Sequence, residues 1–133
     1  MQQQINQVLR DAFEQLRYAE AELCRPKKDS VTLCACLSTK NSARDFFRSY
    51  LLSKSFDGIE KYSLADLQYQ CAKIDSHFNA IDLSCFECRN EESDSCDKNY
   101  CLSVEKVNKC FERANTIREL VMEKLKLTEK SFV

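Results

Sequence analysis

The residues best equipped for chemistry fall into three groups. Cys85, Cys88, Cys96 and Cys101 are spaced Cys-x2-Cys-x7-Cys-x4-Cys. Zinc takes soft donors converging tetrahedrally, and a Cys-x2-Cys pair is the usual half-site. Such a site would be structural, because all four positions would be filled. The second pair is wider than usual and the intervening stretch is short, while Leu83 and Phe86 suit burial equally well. Structural zinc, free thiols and a disulfide therefore all stand open. The second group is Lys40, Asn41, Arg44 and Arg48. Its three cations are four residues apart and form one basic stripe on a helix. That stripe is either a solvated face, partly neutralised by Asp45, or a groove that binds an anion or a partner. The third is His77, the one histidine and so the one side chain ordinarily able to exchange protons near neutrality.

These groups must be positioned by helices. The chain has 133 residues, with one glycine, one proline and no tryptophan. Scarce glycine and proline beside abundant helix formers point to an all-α protein, and the length fits a single domain over 1–133. A net charge of −1 leaves no global field to attract nucleic acid or anionic lipid. The N-terminal stretch lacks a continuous apolar core, so no signal peptide is expected. The longest uncharged apolar run, LCACL, is far below the ~20 residues of a membrane span. The expectation is a cytoplasmic chain with reduced thiols, no membrane association and no cofactor beyond the possible zinc. Of the nine cysteines, Cys24, Cys34, Cys36, Cys71 and Cys110 fall on helices and read as small core residues.

Residues 3–24 carry an amphipathic stripe of Ile5, Val8, Leu9, Ala12, Phe13, Leu16, Ala19 and Leu23. Ser30 to Ser55 reads as one long central helix of about 39 Å. Its first half is apolar almost all round, which calls for neighbours on more than one side, and Asp57-Gly58 is expected to stop it. Ser63 followed by Asp66 is close to a capping box, opening a third helix with Leu64, Leu67, Cys71 and Ile74 inward. A short turn over His77 to Ile81 follows. Leu83 to Asn99 is acidic and reads as loop. A last helix runs from Ser103 to about Leu127, with Val104, Val107, Phe111, Ala114, Ile117, Val121 and Leu125 as its core stripe.

The order of these elements, with Ala43-Arg-Asp-Phe-Phe-Arg-Ser-Tyr-Leu-Leu, Tyr62-Ser-Leu-Ala-Asp-Leu and the stretch from Val107 to Leu125, resembles a HEPN domain over nearly the whole chain. The resemblance implies an up-and-down bundle of four to five helices that often dimerises. It also implies nucleotide or RNA binding in some members, and association with a minimal nucleotidyltransferase in others. Many members are toxin–antitoxin or defence ribonucleases, whose motif is an arginine followed four to six residues later by a histidine. Here the positions four to seven before His77 are Lys73, Ala72, Cys71 and Gln70, and Tyr62 stands where relatives often carry histidine before Ser63. The expected function is thus a non-catalytic HEPN-type binding module, with Lys40, Asn41, Arg44 and Arg48 as the ligand site. The alternatives are a divergent ribonuclease using Arg44, Arg48 and His77, and a structural interaction domain built on a four-cysteine zinc loop. A homodimer is expected as well, because Phe46, Phe47 and Tyr50 add more aromatic area than one small bundle should cover.

Overall fold

The computed structural model describes residues 2–24, 32–56, 58–86 and 104–127. Among the described residues are helices α1 (Gln2–Leu23), α2 (Thr32–Ser53), α3 (Leu64–Ile74) and α4 (Val104–Leu125). Among the described residues two 3-10 turns cover Ser76–Ala80 and Ser84–Phe86, and no strand occurs. One apolar cluster draws on all four helices, with Phe13, Phe46, Phe47, Phe78, Leu67 and Ile117 at its centre. A satellite of Ala35, Cys36 and Val107, with Leu23 and Leu37 against it, joins the start of α2 to α1 and α4. Ala35, Cys36 and Leu37 of the apolar first half of α2 thus meet neighbours from two other helices; the side chains of residues 31–34 lie outside the described ones.

α2 is the element that the others cover, and it packs most extensively against α1. Its buried face is not purely apolar: Ser38, Thr39, Ser42 and Ser49 are all buried. A buried hydroxyl without a partner costs about 1–3 kcal/mol. Thr39 Oγ1 donates to the Ala35 carbonyl at 2.7 Å, and Ser49 Oγ to that of Phe46 at 2.7 Å. Ser42 Oγ reaches across to the Ala12 carbonyl of α1 at 2.8 Å. Small side chains let the two helices approach, and the Ser42 bond fixes their register. The same register sets Phe13 edge-on to Phe46, with ring centroids 5.1 Å apart.

Phe46, Phe47 and Tyr50 are buried within this single chain. Tyr50 lies 4.7 Å from the Phe78 ring, and Phe47 lies 6.0 Å from it. The 3-10 turn Ser76–Ala80 folds Phe78 over both. These rings therefore give no reason to expect a second copy, which removes the aromatic-area argument for a homodimer.

α3 begins as the sequence predicts. Ser63 Oγ accepts from the Asp66 amide at 3.1 Å, and the Asp66 carboxylate accepts from the Ser63 amide at 3.3 Å, a complete capping box. Leu64, Leu67 and Cys71 are buried, but Ile74 is 44% exposed, because α3 ends there and the chain turns away. Asp57-Gly58 does not stop α2. Ser55, at φ 62°, takes the left-handed position, and the amides of Phe56 and Ser55 bond back to the carbonyls of Leu51 and Leu52 at 3.0 Å. That is a Schellman close without glycine. Lys126, at φ 58°, ends α4 the same way. Cys24 is exposed, against the expectation of a core residue, whereas Cys36, Cys71 and Cys110 are buried.

α1 runs against α2, since Leu23 meets Ala35 and Cys36 while Ala12 meets Ser42. The strict up-and-down order does not extend to α3. Leu64 lies beside Lys40 and Arg44, and Cys71 lies farther along α2 at the Phe47 carbonyl. α3 thus advances in the same sense as α2. The linker after α2, pinned by the buried Ile59, carries the chain back before α3 starts.

Candidate functional site

The basic stripe on α2 divides. Lys40 and Arg44 line a cavity of about 290 Å³ together with Ser63, Leu64, Ala65, Leu83 and Phe86. Asn41 is exposed and Arg48 points elsewhere, and neither lines this cavity. Arg48 Nη1 instead bonds Asp45 Oδ1 at 3.1 Å, so the partial neutralisation expected of Asp45 falls on Arg48. Burial raises the Asp45 carboxyl above its ordinary range, and the nearby Arg48 only partly offsets that.

The cavity wall opposite the cations is the start of α3. Its first intrahelical bond runs from the Leu67 amide to the Ser63 carbonyl at 2.9 Å, and the Asp66 amide is held by Ser63 Oγ. The amides of Leu64 and Ala65 precede these bonds and have no intrahelical acceptor. Arg44 Nε is buried and has no hydrogen-bond partner among the described residues. Amides at a helix start and a guanidinium with an unused donor both select negative charge. The side chains of Leu83 and Phe86 close the cavity with apolar surface. The arrangement can hold an anionic group at one end and an apolar or aromatic body at the other. Lys40 and Arg44 were legible as a pair from their spacing; their convergence on α3 was not.

His77 is 70% exposed at its side chain. Its amide and its Nδ1 both contact Asp75 Oδ1, at 3.0 and 2.7 Å. Lys124 Nζ, from α4, bonds Asp75 Oδ2 at 3.0 Å and lies 2.9 Å from His77 Nδ1. The His77 amide bond, followed by those of Lys124 and the His77 ring, holds the Asp75 carboxyl down at about 2. Along the sequence His77 has only Lys73 as a nearby cation. Lys73 instead lies over the Tyr69 ring at 4.6 Å, and the cation that reaches His77 comes from α4. Neither His77 nor Lys124 lines the Lys40–Arg44 cavity, so the structure does not join Arg44, Arg48 and His77 into one site.

Of the four loop cysteines, Cys88, Cys96 and Cys101 lie outside the described residues. Cys85 is half-buried, and its neighbours are Cys110 and Arg113 of α4. Among the described residues no cluster of metal-ligating side chains occurs. The hydrogen bond from Cys110, with help from the Arg113 guanidinium, lowers the Cys85 thiol to about 7. No helix among the described residues is long and apolar enough to cross a membrane. No family model, curated protein or solved structure matches the chain.

Proposed function

We propose that this helical bundle is a non-catalytic, HEPN-type binding module whose cavity between α2 and the start of α3 takes a phosphate-bearing ligand of the nucleotide class. The observation that carries the reading is a cavity lined by Lys40 and Arg44 together with Leu64 and Ala65, whose amides open α3, with the Arg44 Nε buried and without a hydrogen-bond partner among the described residues. A phosphate would accept from the Arg44 guanidinium, the α3 amides and Lys40, while the Leu83 and Phe86 side would take the sugar or base. At about 290 Å³ the space is at the small end for ligand sites, suited to a phosphate and the group bonded to it. A minimal nucleotidyltransferase is the partner class that suits a module with this preference.

The absence of chemistry is part of the proposal. A histidine that acts on RNA needs a phosphate-holding cation with charge to spare. Lys124 is the cation beside His77, and its charge is engaged by Asp75. The test has two arms. Calorimetric titration with inorganic phosphate and with ATP should give weak binding that falls as salt is raised, and Arg44→Ala should lower it by about tenfold, the worth of one charge-assisted hydrogen bond. Binding unchanged in Arg44→Ala, or none at millimolar ligand, overturns the site. In the second arm the pure protein meets mixed RNA. Cleavage that disappears in His77→Ala would overturn the non-catalytic reading and establish the ribonuclease.

A further inference from the structure

Arg113, like Arg44 and Arg48, has a buried Nε with no hydrogen-bond partner among the described residues. It lines a separate cavity of about 340 Å³ with Ser84, Cys85, Lys109, Glu112 and Thr116. Cys85 sits on the turn Ser84–Phe86, and Cys110 sits on α4 one helical turn from Lys106 and Ala114. The Cys110 thiol reaches the Cys85 carbonyl at 2.7 Å, and the two thiols are within hydrogen-bonding reach of each other. Both are thiols rather than disulfide partners, and they differ in access: Cys110 is buried, while Cys85 is half-buried and opens to the cavity.

We propose that Cys85 and Cys110 form an oxidisable dithiol site that exchanges with small anionic disulfides entering the Arg113 cavity. Two cysteines brought together from different elements are what a reversible disulfide requires, and one half-buried sulfur that lines a cavity beside one buried sulfur separates the attacking thiol from the resolving one. Lys109 and Arg113 line the cavity beside Glu112, and Asp82 acts on both Arg113 and Cys85; the two cations are the groups that would meet the carboxylates of a disulfide of the glutathione type. In the first step the Cys85 thiolate attacks one sulfur of the incoming disulfide. That S–S bond breaks, its electron pair leaves as a thiolate, and a mixed disulfide remains on Cys85. In the second step Cys110 gives its proton to solvent and attacks Cys85 Sγ, which releases the other half as a second thiolate. The protein loses two electrons, and the incoming disulfide gains them.

The experiment uses the full, freshly reduced chain with oxidised glutathione, followed by peptide mapping under conditions that block free thiols. The expected product is a linked peptide pair joining Cys85 to Cys110. Cys110→Ser should trap glutathione as a stable adduct on Cys85, and Cys85→Ser should leave Cys110 reduced. Helical circular dichroism of both variants checks that the bundle is intact. If Cys110→Ser does not fold, a time course on the unaltered chain serves in its place, with the Cys85 adduct expected to precede the linked pair. Cys85 staying reduced, or linking to a different cysteine, overturns the proposal. Cystamine, a cationic disulfide, should react several-fold more slowly, and equal rates overturn the preference for anions.

Discussion

The cavities around Arg44 and Arg113 lie on opposite sides of one short turn. Leu83 and Phe86 line the first, Ser84 and Cys85 the second. Each holds a guanidinium whose Nε is buried and has no hydrogen-bond partner among the described residues, a feature Arg48 shares outside both cavities. What faces that guanidinium differs. Arg44 shares its cavity with the start of α3 and apolar side chains, while the carboxylate nearest it in sequence, Asp45, is bonded to Arg48. Arg113 looks at a thiol, which can itself become the negative charge. On the two proposals, one cation type would serve a ligand site in one place and a reactive group in the other. The path of the turn, with 84 and 85 on one side and 83 and 86 on the other, decides which residue each arginine meets.

The most severe way to break this comparison is to remove the shared wall. Phe86 is buried in the main core and holds the turn in place. Phe86→Ala should cost about 3–5 kcal/mol, read by urea unfolding. It should also weaken phosphate binding and slow formation of the Cys85–Cys110 link. Loss of one activity with the other intact would mean that the two cavities do not depend on a common support.

A crossed pair of arginine variants is milder and more selective. Arg44→Ala should lower phosphate affinity by about tenfold and leave thiol exchange unchanged. Arg113→Ala should leave phosphate affinity unchanged and slow glutathione exchange by about threefold, because a less stabilised thiolate is scarcer but more nucleophilic. Parallel titration and quenched-exchange assays on both variants read the cross. Equal effects of either variant on both activities would merge the two cavities into one site.

Much of the scaffold behind this comparison was legible, because it rests on local signals. Ser63 and Asp66 announce the start of α3, and the stripe from Ile5 to Ala19 announces the buried side of α1. Lys40 and Arg44 share a helix face by spacing alone. The close of α2 was not legible: Gly58 was the obvious terminator by propensity, yet the left-handed position fell to Ser55, where packing of Phe56 outweighed the strain. The partners of the cations were hidden for another reason. Cys85 with Cys110 and His77 with Lys124 are 25 and 47 residues apart, and their meeting depends on how helices stack, which spacing along one helix does not encode. The buried hydroxyls of α2 were hidden too, because a serine that bonds a carbonyl inside the bundle has the same sequence signal as one that faces water.

Acid separates these cavities from the charged cluster at the other end of α4. The Asp75 carboxyl titrates at about 2 when folded, against an ordinary 3.8. As pH falls, the unfolded chain takes up this proton first. Asp75 therefore supports the fold fully above pH 3.8, loses that support between 3.8 and about 2, and gives none below. Asp75→Asn should flatten this part of the stability–pH curve, measured by urea midpoints from pH 5 down to about 2. Because the Asp75 side chain keeps contact with solvent, which screens its charge, the change should be smaller than that of Phe86→Ala. Unaltered acid sensitivity would assign it to other carboxylates, of which Asp82, also lowered by its bond to the Ser84 amide, is the next.

The smallest effect expected is also the one with opposing signs. Asp66 completes the capping box of α3, and its carboxylate sits at the helix start that lines the Arg44 cavity. A negative charge there stabilises the helix through its dipole, by about 0.3–1 kcal/mol at an exposed position. The same charge repels any anion brought to the Leu64 and Ala65 amides. Asp66→Asn keeps an oxygen able to accept from the Ser63 amide and removes only the charge. It should therefore lower stability by about 0.5 kcal/mol and raise phosphate affinity about two- to threefold, with the gain shrinking as salt is added. Glutathione exchange at Cys85, across the turn, should not change. Thermal unfolding and phosphate titration on the same preparation read both signs. A variant that loses stability without gaining affinity would mean that the anion does not sit at the start of α3, leaving Lys40 and Arg44 to hold it alone.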